Sequence, residues 1–269
     1  MKIGVTANPR IPHARMAVEG IINQVEAKHK VVLESEVAAA LGRRGHELGA
    51  MDVDLVLAVG GDGTVLRALQ RTKAKVLGIN SGSLGFLTEI TADEFPDALF
   101  RLEKKDYAVE ERVKLAVRVD GKRMADCANE AVLHTAQVAK IRDFEISLNG
   151  TVAQTVRADG IIIATPTGST SYNLSVGGPI VDPRVEALVI SAIAPFKVAA
   201  RPMVVPTSAE VRVKVAKPKE CLLVLDGQQE VALSGTEDVR FTGSKNRAKL
   251  VKFSDDFYQR IEEKLVGKR

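Results

Sequence analysis

Two periodicities divide the chain. As far as about residue 105, short apolar runs alternate with segments whose apolar residues fall three and four apart. Residues 54–59 and 75–80 read as strands buried on both faces, 2–6 as a short alternating strand, and 31–33 as a second short strand. Between them Val18, Ile21, Ile22 and Val25 mark a helix over 15–28, and Ser35 stands as the cap of an Ala-rich helix to about Arg43. Val65, Ala68 and Leu69 mark a third helix, and Thr91-Ala92-Asp93-Glu94 reads as a capping box for a fourth through about Lys104. Such alternation predicts a parallel sheet with helices on both faces, and ligands of such sheets bind beyond the carboxyl ends of the strands.

Beyond residue 105 the period becomes two. Val113, Leu115, Val117 and Val119 alternate with polar residues as a half-buried strand, as do Phe144, Ile146 and Leu148, and Val211, Val213 and Val215. Asp120-Gly121, Asn149-Gly150 and Asp226-Gly227 are hairpin turns. Residues 151–156, 222–225, 239–242 and 249–253 are further short strands, so this part reads as largely antiparallel. Ser254-Asp255-Asp256 caps a last amphipathic helix carrying Phe257, Ile261, Leu265 and Val266. The expected organisation is an α/β domain over 1–105, a β-rich domain over 106–248, and a strand and helix over 249–269 returning to the first domain. A cleft between the two domains is the expected site.

Composition narrows the class. The 269 residues are 45% hydrophobic and 27% charged, an ordinary globular balance. The net charge of +4 is scattered, which suits small polyanions and does not point to nucleic acid. Aromatic content is 4% with no Trp, which leaves no stacking platform for single strands. Cys127 and Cys221 lack metal-site spacing and read as reduced core residues. The apolar runs fall well below the roughly 18 residues of a membrane span. Met1 to Val5 reads as a first strand, not a signal peptide, so a cytoplasmic location is expected.

Three stretches carry the chemistry. Gly60-Gly61-Asp62-Gly63-Thr64 joins a buried strand to a helix, where unpaired amides and the helix dipole favour an anion. It matches neither the P-loop nor the dinucleotide fingerprint. A carboxylate beside a phosphate site suits proton acceptance from an attacking hydroxyl, or contact with magnesium. Asn129-Glu130 sits in an otherwise apolar strand and suits a base edge and a ribose. Arg157-Ala158-Asp159-Gly160 precedes a buried strand, Ile161 to Ala164. The loop after that strand, Thr165-Pro166-Thr167-Gly168-Ser169-Thr170-Ser171-Tyr172-Asn173-Leu174-Ser175, is dense in short hydroxyl side chains.

Together these stretches resemble the NAD kinase family. Asn8-Pro9-Arg10, Gly78-Ile79-Asn80 with Leu84-Gly85-Phe86-Leu87, Arg201 to Pro206, and Asp226-Gly227-Gln228 fit as well. Lipid kinases and phosphofructokinases carry relatives of the glycine turn, so the turn together with the hydroxyl-rich loop is what is specific. The resemblance implies a Rossmann-like, phosphofructokinase-like first domain and phosphoryl transfer to the 2′-hydroxyl of the adenosine ribose of NAD. The donor would be ATP or inorganic polyphosphate, with a divalent ion such as magnesium.

By that likeness Asp62 is the catalytic carboxylate and Gly63 supports its loop. Gly60, Gly61, Gly63 and Thr64 cradle the donor phosphates. Asn129 and Glu130 hold the adenosine, Asp159 meets the nicotinamide riboside, and Thr167, Thr170, Ser171, Tyr172, Asn173, Leu174 and Ser175 line the dinucleotide site. Arg67, Lys140, Arg157, Ala194 and Gln228 border it. No protein metal ligand is assigned, and a homodimer or homotetramer is implied. Ser171 stands where many members have Ala, and Phe196-Lys197 where many have His-Asn. A lipid or sugar kinase and a silent dinucleotide sensor are the rival readings.

Overall fold

The structure, a computed structural model, describes residues 1–7, 12–80, 82, 85–137, 140–197 and 200–267, the side chains of 12–15 excepted. Asn8-Pro9-Arg10 and Leu84 lie outside the described residues. Contacts divide the chain into two compact units, Met1–Glu111 with Ala248–Arg269, and Arg112–Arg247.

In the first unit β1 (Lys2–Ala7), α1 (Pro12–Glu26), β2 (Lys30–Leu33), α2 (Ser35–Ala40), β3 (Leu55–Val59), α3 (Asp62–Arg71) and β4 (Lys75–Asn80) follow in order. The two-residue β5 (Ile90–Thr91) and α4 (Phe95–Lys104) complete the series. The strands lie parallel in the order β2, β1, β3, β4, with Ile3 beside Leu55 and Leu57 beside Leu77. Every residue of β3 is buried, as an apolar strand covered on both faces must be. Ile21, Ile22 and Val25 of α1 and Phe95, Ala98 and Leu102 of α4 join the strands in one core. The expected α/β fold is present.

Two helix starts differ from expectation. Glu34, not Ser35, is the N-cap of α2, and its carboxylate is taken by Arg67 and Thr6. Helix α4 starts at Phe95, because the Thr91 hydroxyl donates to Glu94 (2.8 Å) instead of accepting from a helix amide. Glu94 also takes the Thr91 N–H at 2.7 Å.

In the second unit β6 (Ala108–Val119) and β7 (Lys122–Arg123) form a hairpin, and β8 (Glu130–Thr135), β9 (Arg142–Leu148), β10 (Thr151–Ala158) and β11 (Gly160–Ala164) follow. The helix α5 (Tyr172–Ser175) precedes β12 (Ala187–Ile193), β13 (Met203–Pro206), β14 (Val211–Val215), β15 (Cys221–Leu225), β16 (Gln229–Leu233) and β17 (Val239–Lys252). One antiparallel sheet has the order β13, β12, β11, β8, β15, β16, while β10, β9, β14 and the start of β17 pair antiparallel in another. Leu115, Phe144, Ile146, Ile161, Ile163, Leu223 and Phe241 share the core of this unit. Asp120, Asn149 and Asp226 take positive φ at the hairpin turns.

Strand β6 is not half-buried. All of 112–117 is buried, Arg112 and Lys114 included, and burial pushes the Lys114 ammonium below its ordinary value. The two short strands expected at 239–242 and 249–253 are one continuous β17. Its polar middle is held because Ser244 and Asn246 donate to the buried Asp126 carboxylate at 2.6 and 2.9 Å.

The end of β17 returns to the first unit beside β4, with Leu250 paired to Val76. Asp256 then caps α6 (Phe257–Ile261), which runs on as a π-helical turn, Glu262–Val266. The expected apolar face of this helix is only partly covered: Phe257 and Ile261 are half-buried, Leu265 and Val266 are exposed, and the fully buried residue is Arg260.

Candidate active site

The glycine turn falls where its sequence places it, between β3 and α3. Gly61 is the N-cap and Asp62 the first helical residue. Gly60 has φ +150, and a Cβ there would sit 2.5 Å from Thr64 Oγ1, so glycine is required. A Cβ on Gly61 or Gly63 would meet nothing within 4 Å. The Thr64 amide donates to the Gly61 carbonyl at 2.9 Å and the Gly60 amide to the Ile79 carbonyl at 2.8 Å, so of the expected cradle only the Gly61 and Gly63 amides stay available among the described residues.

The Asp62 side chain turns to the segment after β4. Oδ2 accepts the Phe86 amide at 2.8 Å, and Oδ1 accepts those of Leu87 (3.0 Å) and Thr88 (3.2 Å). A carboxylate offers about four lone-pair sites. Among the described residues three are used, which leaves one on Oδ2. Gly85 comes so close that a Cβ on it would overlap the carboxylate. The carboxylate expected beside the phosphate turn is thus held in one orientation by three backbone donors.

In the second unit another carboxylate is held the same way. Asp226 is 4% exposed. It accepts the amides of Ala128 (2.7 Å), Asn129 (2.8 Å) and Glu130 (3.0 Å). Burial raises its carboxyl to about 6 against the opposing pull of those three bonds. Glu130, 7% exposed, is pushed up to about 8, first by burial and then by the Asp226 charge, with Ser171 opposing. Its Oε1 accepts from Ser171 Oγ at 3.4 Å. Glu130 Oε2, Asn129 Oδ1, Thr167 Oγ1 and Asp159 Oδ1 are buried with no hydrogen-bond partner. Buried polar atoms are rarely left so. Four residues expected to bind ligand thus supply four of the orphaned atoms of this unit.

The hydroxyl-rich stretch is not an open loop. It folds as a 3-10 turn, Thr167–Thr170, followed by α5. Pro166, with φ −56, is already in helical conformation ahead of the turn. Thr165 donates to the Ala128 carbonyl at 2.5 Å and accepts the Gly168 amide at 3.2 Å. A Cβ on Gly168 would overlap the Asn129 carbonyl oxygen and lie 2.8 Å from Glu130 Oε2. Glycine lets the turn lie against the Asn-Glu pair.

Asn173, 0% exposed, accepts from Ser191 Oγ at 2.7 Å and donates to the Ser169 and Pro179 carbonyls. It holds the segment down instead of facing a ligand. Val176 and Val181 then cover Ile162 and Ala164, which explains a strand apolar on both faces in an antiparallel sheet. Thr170 bonds back to the Thr167 carbonyl. Ser171 and Leu174 are half-buried, and Tyr172 and Ser175 are exposed.

The bordering residues divide. Arg67 is spent within the first unit on both Glu34 oxygens (2.8 Å each), Thr6 Oγ1 (2.9 Å) and the Ala7 carbonyl (2.9 Å). Lys140 and Gln228 are exposed. The Arg157 guanidinium lies 5.6 Å from the Phe196 ring centroid, and Ala194 is exposed with φ +45. Arg260 has no signal in the sequence, while Gly85 and Asp226 stand in family-like stretches whose residues do not reveal the close approach of Gly85 to Asp62 or the Asp226 carboxylate on the 128–130 amides.

The ATP-NAD kinase N-terminal domain family matches residues 15–107, and the ATP-NAD kinase C-terminal domain family matches 128–253. The NAD kinase of Thermoplasma acidophilum is 40% identical over 267 residues, 99% of this chain and 98% of that protein. That of Methanothermobacter thermautotrophicus is 41% identical over 275 residues, covering 99% and 96%. An NAD kinase from Archaeoglobus fulgidus, solved with ATP, is 28% identical with a TM-score of 0.78 over 100% of both chains. Yeast NADH kinase, solved with NADH, shares the fold with a TM-score of 0.91 at 23% identity, over 99% of this chain and 87% of that one. With near-complete coverage at about 40% identity, the glycine turn and the Asn-Glu pair in their expected elements are those of a relative, and the chain belongs to the NAD kinase family.

Proposed function

We propose that this chain transfers a phosphoryl group from ATP, or from inorganic polyphosphate, to the 2′-hydroxyl of the adenosine ribose of NAD, giving NADP. The observation that carries this reading is the Asp62 carboxylate, fixed in one orientation at the amino end of α3 by three backbone amides. Phosphoryl transfer asks for positioning and charge stabilisation more than covalent chemistry. A secondary alcohol is a weak nucleophile at neutral pH. A carboxylate already oriented can accept its hydrogen bond, and then its proton, as the P–O bond forms.

The donor's phosphates are proposed for the amides of Gly61 and Gly63, where the backbone is exposed and unobstructed. The β-rich unit is proposed as the NAD-binding domain and the α/β unit as the phosphate domain. The orphaned atoms of Asn129, Glu130, Asp159 and Thr167 are proposed to complete their hydrogen bonds on the dinucleotide. Asn129 and Glu130 take the adenosine end and Asp159 the nicotinamide riboside. Thr170 to Ser175 line the site, with Asn173 acting through the fold of that segment, and Lys140, Arg157, Ala194 and Gln228 border it.

Among the described residues no group of three His, Cys, Asp or Glu side chains forms a metal cage. Magnesium is proposed to arrive with the donor phosphates. Among the described residues no helix is long and apolar enough to cross a membrane. A cytoplasmic homodimer or homotetramer is proposed, and the exposed Val204 on edge strand β13, with Ile180 and Val185 also exposed, supports self-association.

The test is NADP formation from NAD and magnesium with ATP or polyphosphate, read by an NADP-specific dehydrogenase. Signal with either donor supports the reading, and the ratio of the two names the donor. Silence with both donors, while NAD still raises the melting temperature, contradicts it in favour of a dinucleotide sensor.

A further inference from the structure

The three amides that hold Asp62 belong to an irregular segment, closed on itself where the Gly85 amide donates to Thr88 Oγ1 at 2.6 Å. That bond shapes the segment but does not tie it to the rest of the unit. The C-terminal helix supplies a tie. Arg260 is 5% exposed, although arginine is almost never buried unless it is paired. Its Nη1 donates to the carbonyls of Gly85, at 3.0 Å, and Thr88. Those carbonyls flank the three amides that point the other way, at Asp62. Nη2 pairs with Glu89 at 3.3 Å and with Asp256 at 2.8 Å. Glu89 is also bound by Lys252 and by the Phe253 amide at 2.6 Å. The guanidinium thus clamps the back of the Asp62 cradle to a fixed anchor.

We infer that Arg260 is a positioning residue for the Asp62 carboxylate, acting through the 85–88 backbone. The inference rests on the proposed role of Asp62. Only a planar fork reaches two carbonyls and two carboxylates at once. A lysine keeps the charge, with Asp256 and Glu89 still at hand, but it has one nitrogen where the arginine uses Nη1 on the carbonyls and Nη2 on the carboxylates. With the carbonyls cut from their anchor the cradle loosens, and a misplacement on the order of 1 Å at a reacting group costs about 10²-fold in rate.

The test uses the full-length protein with Arg260→Lys as the main variant and Arg260→Met as the second. Lys252 and two backbone amides remain on Glu89 in both. Hydrogen exchange over 85–89, kcat at saturating NAD and NAD affinity are measured together. The expected result for Arg260→Lys is faster exchange over 85–89 and a kcat reduced tenfold or more, with NAD affinity within threefold and a cooperative melt. Arg260→Met gives the same pattern, more strongly. Unchanged exchange, or a kcat within twofold of the parent, overturns the inference. Should the parent itself make no NADP, the activity reading fails and the exchange arm alone decides whether Arg260 holds the cradle. An unfolded Arg260→Met leaves the decision to Arg260→Lys.

Discussion

Asp62 accepts three backbone amides through two oxygens, and that geometry depends on Gly85 having no side chain. Gly85→Ala places a methyl where the carboxylate lies. The expected outcome is a protein that still binds NAD, with kcat reduced about 10²-fold, the scale of a reacting group displaced by roughly an ångström. Steady-state kinetics beside calorimetric NAD binding checks this, and an unchanged kcat would show that Asp62 works from another position. The presence of a carboxylate at a phosphate turn was legible in the residues. Its three donors were not, because they are main-chain groups 24 to 26 positions away, and the same is true of Asp226 and the amides of 128–130.

Strand β8 begins at Glu130, whose carboxyl is raised from the ordinary 4.5 to about 8, with Asp226 behind it raised from 3.8 to about 6. The folded protein keeps these protons where the unfolded chain has released them. Between those values the unfolded state binds fewer protons, so their contribution to stability falls as pH rises, from about 4.5 to about 8 for Glu130 and from 3.8 to about 6 for Asp226. Glu130→Gln mimics the neutral form, and its melting temperature is expected to decline less than the parent's between pH 6 and 8. Parallel curves by circular dichroism would contradict this.

The segment from Thr165 to Ser175 gives a second element-scale expectation. Asn173→Ala leaves the Ser191 hydroxyl and two carbonyls without their partner, a loss of about 2 kcal/mol by the usual cost of an unmet buried group. Urea unfolding checks it. Strands and helices were readable wherever apolar spacing was clear, as in β3 and α1. The turn over Thr167–Thr170, the polar middle of β17 and the buried Arg112 and Lys114 were not. There the local pattern is polar, and long-range partners decide the conformation.

At the scale of the whole molecule, the antiparallel unit gathers the orphaned atoms of Asn129, Glu130, Asp159 and Thr167, and the α/β unit holds the oriented Asp62. The return of the chain to its first unit through β17 and α6 was legible as an amphipathic tail. Its reason was not, since the fully buried residue is Arg260 and the apolar face is only partly covered. Self-association is expected to appear as twice or four times the 28.9 kDa of one chain in sedimentation. A monomer at micromolar concentration would contradict it.

Asp62 is proposed to take the proton of the NAD 2′-hydroxyl, and kcat of Asp62→Asn at saturating NAD, with NAD affinity measured on the same preparation, decides that role. The expected fall is about 10²–10⁴-fold, the usual contribution of a positioned acid–base group, with affinity within threefold. A kcat within tenfold of the parent would contradict it.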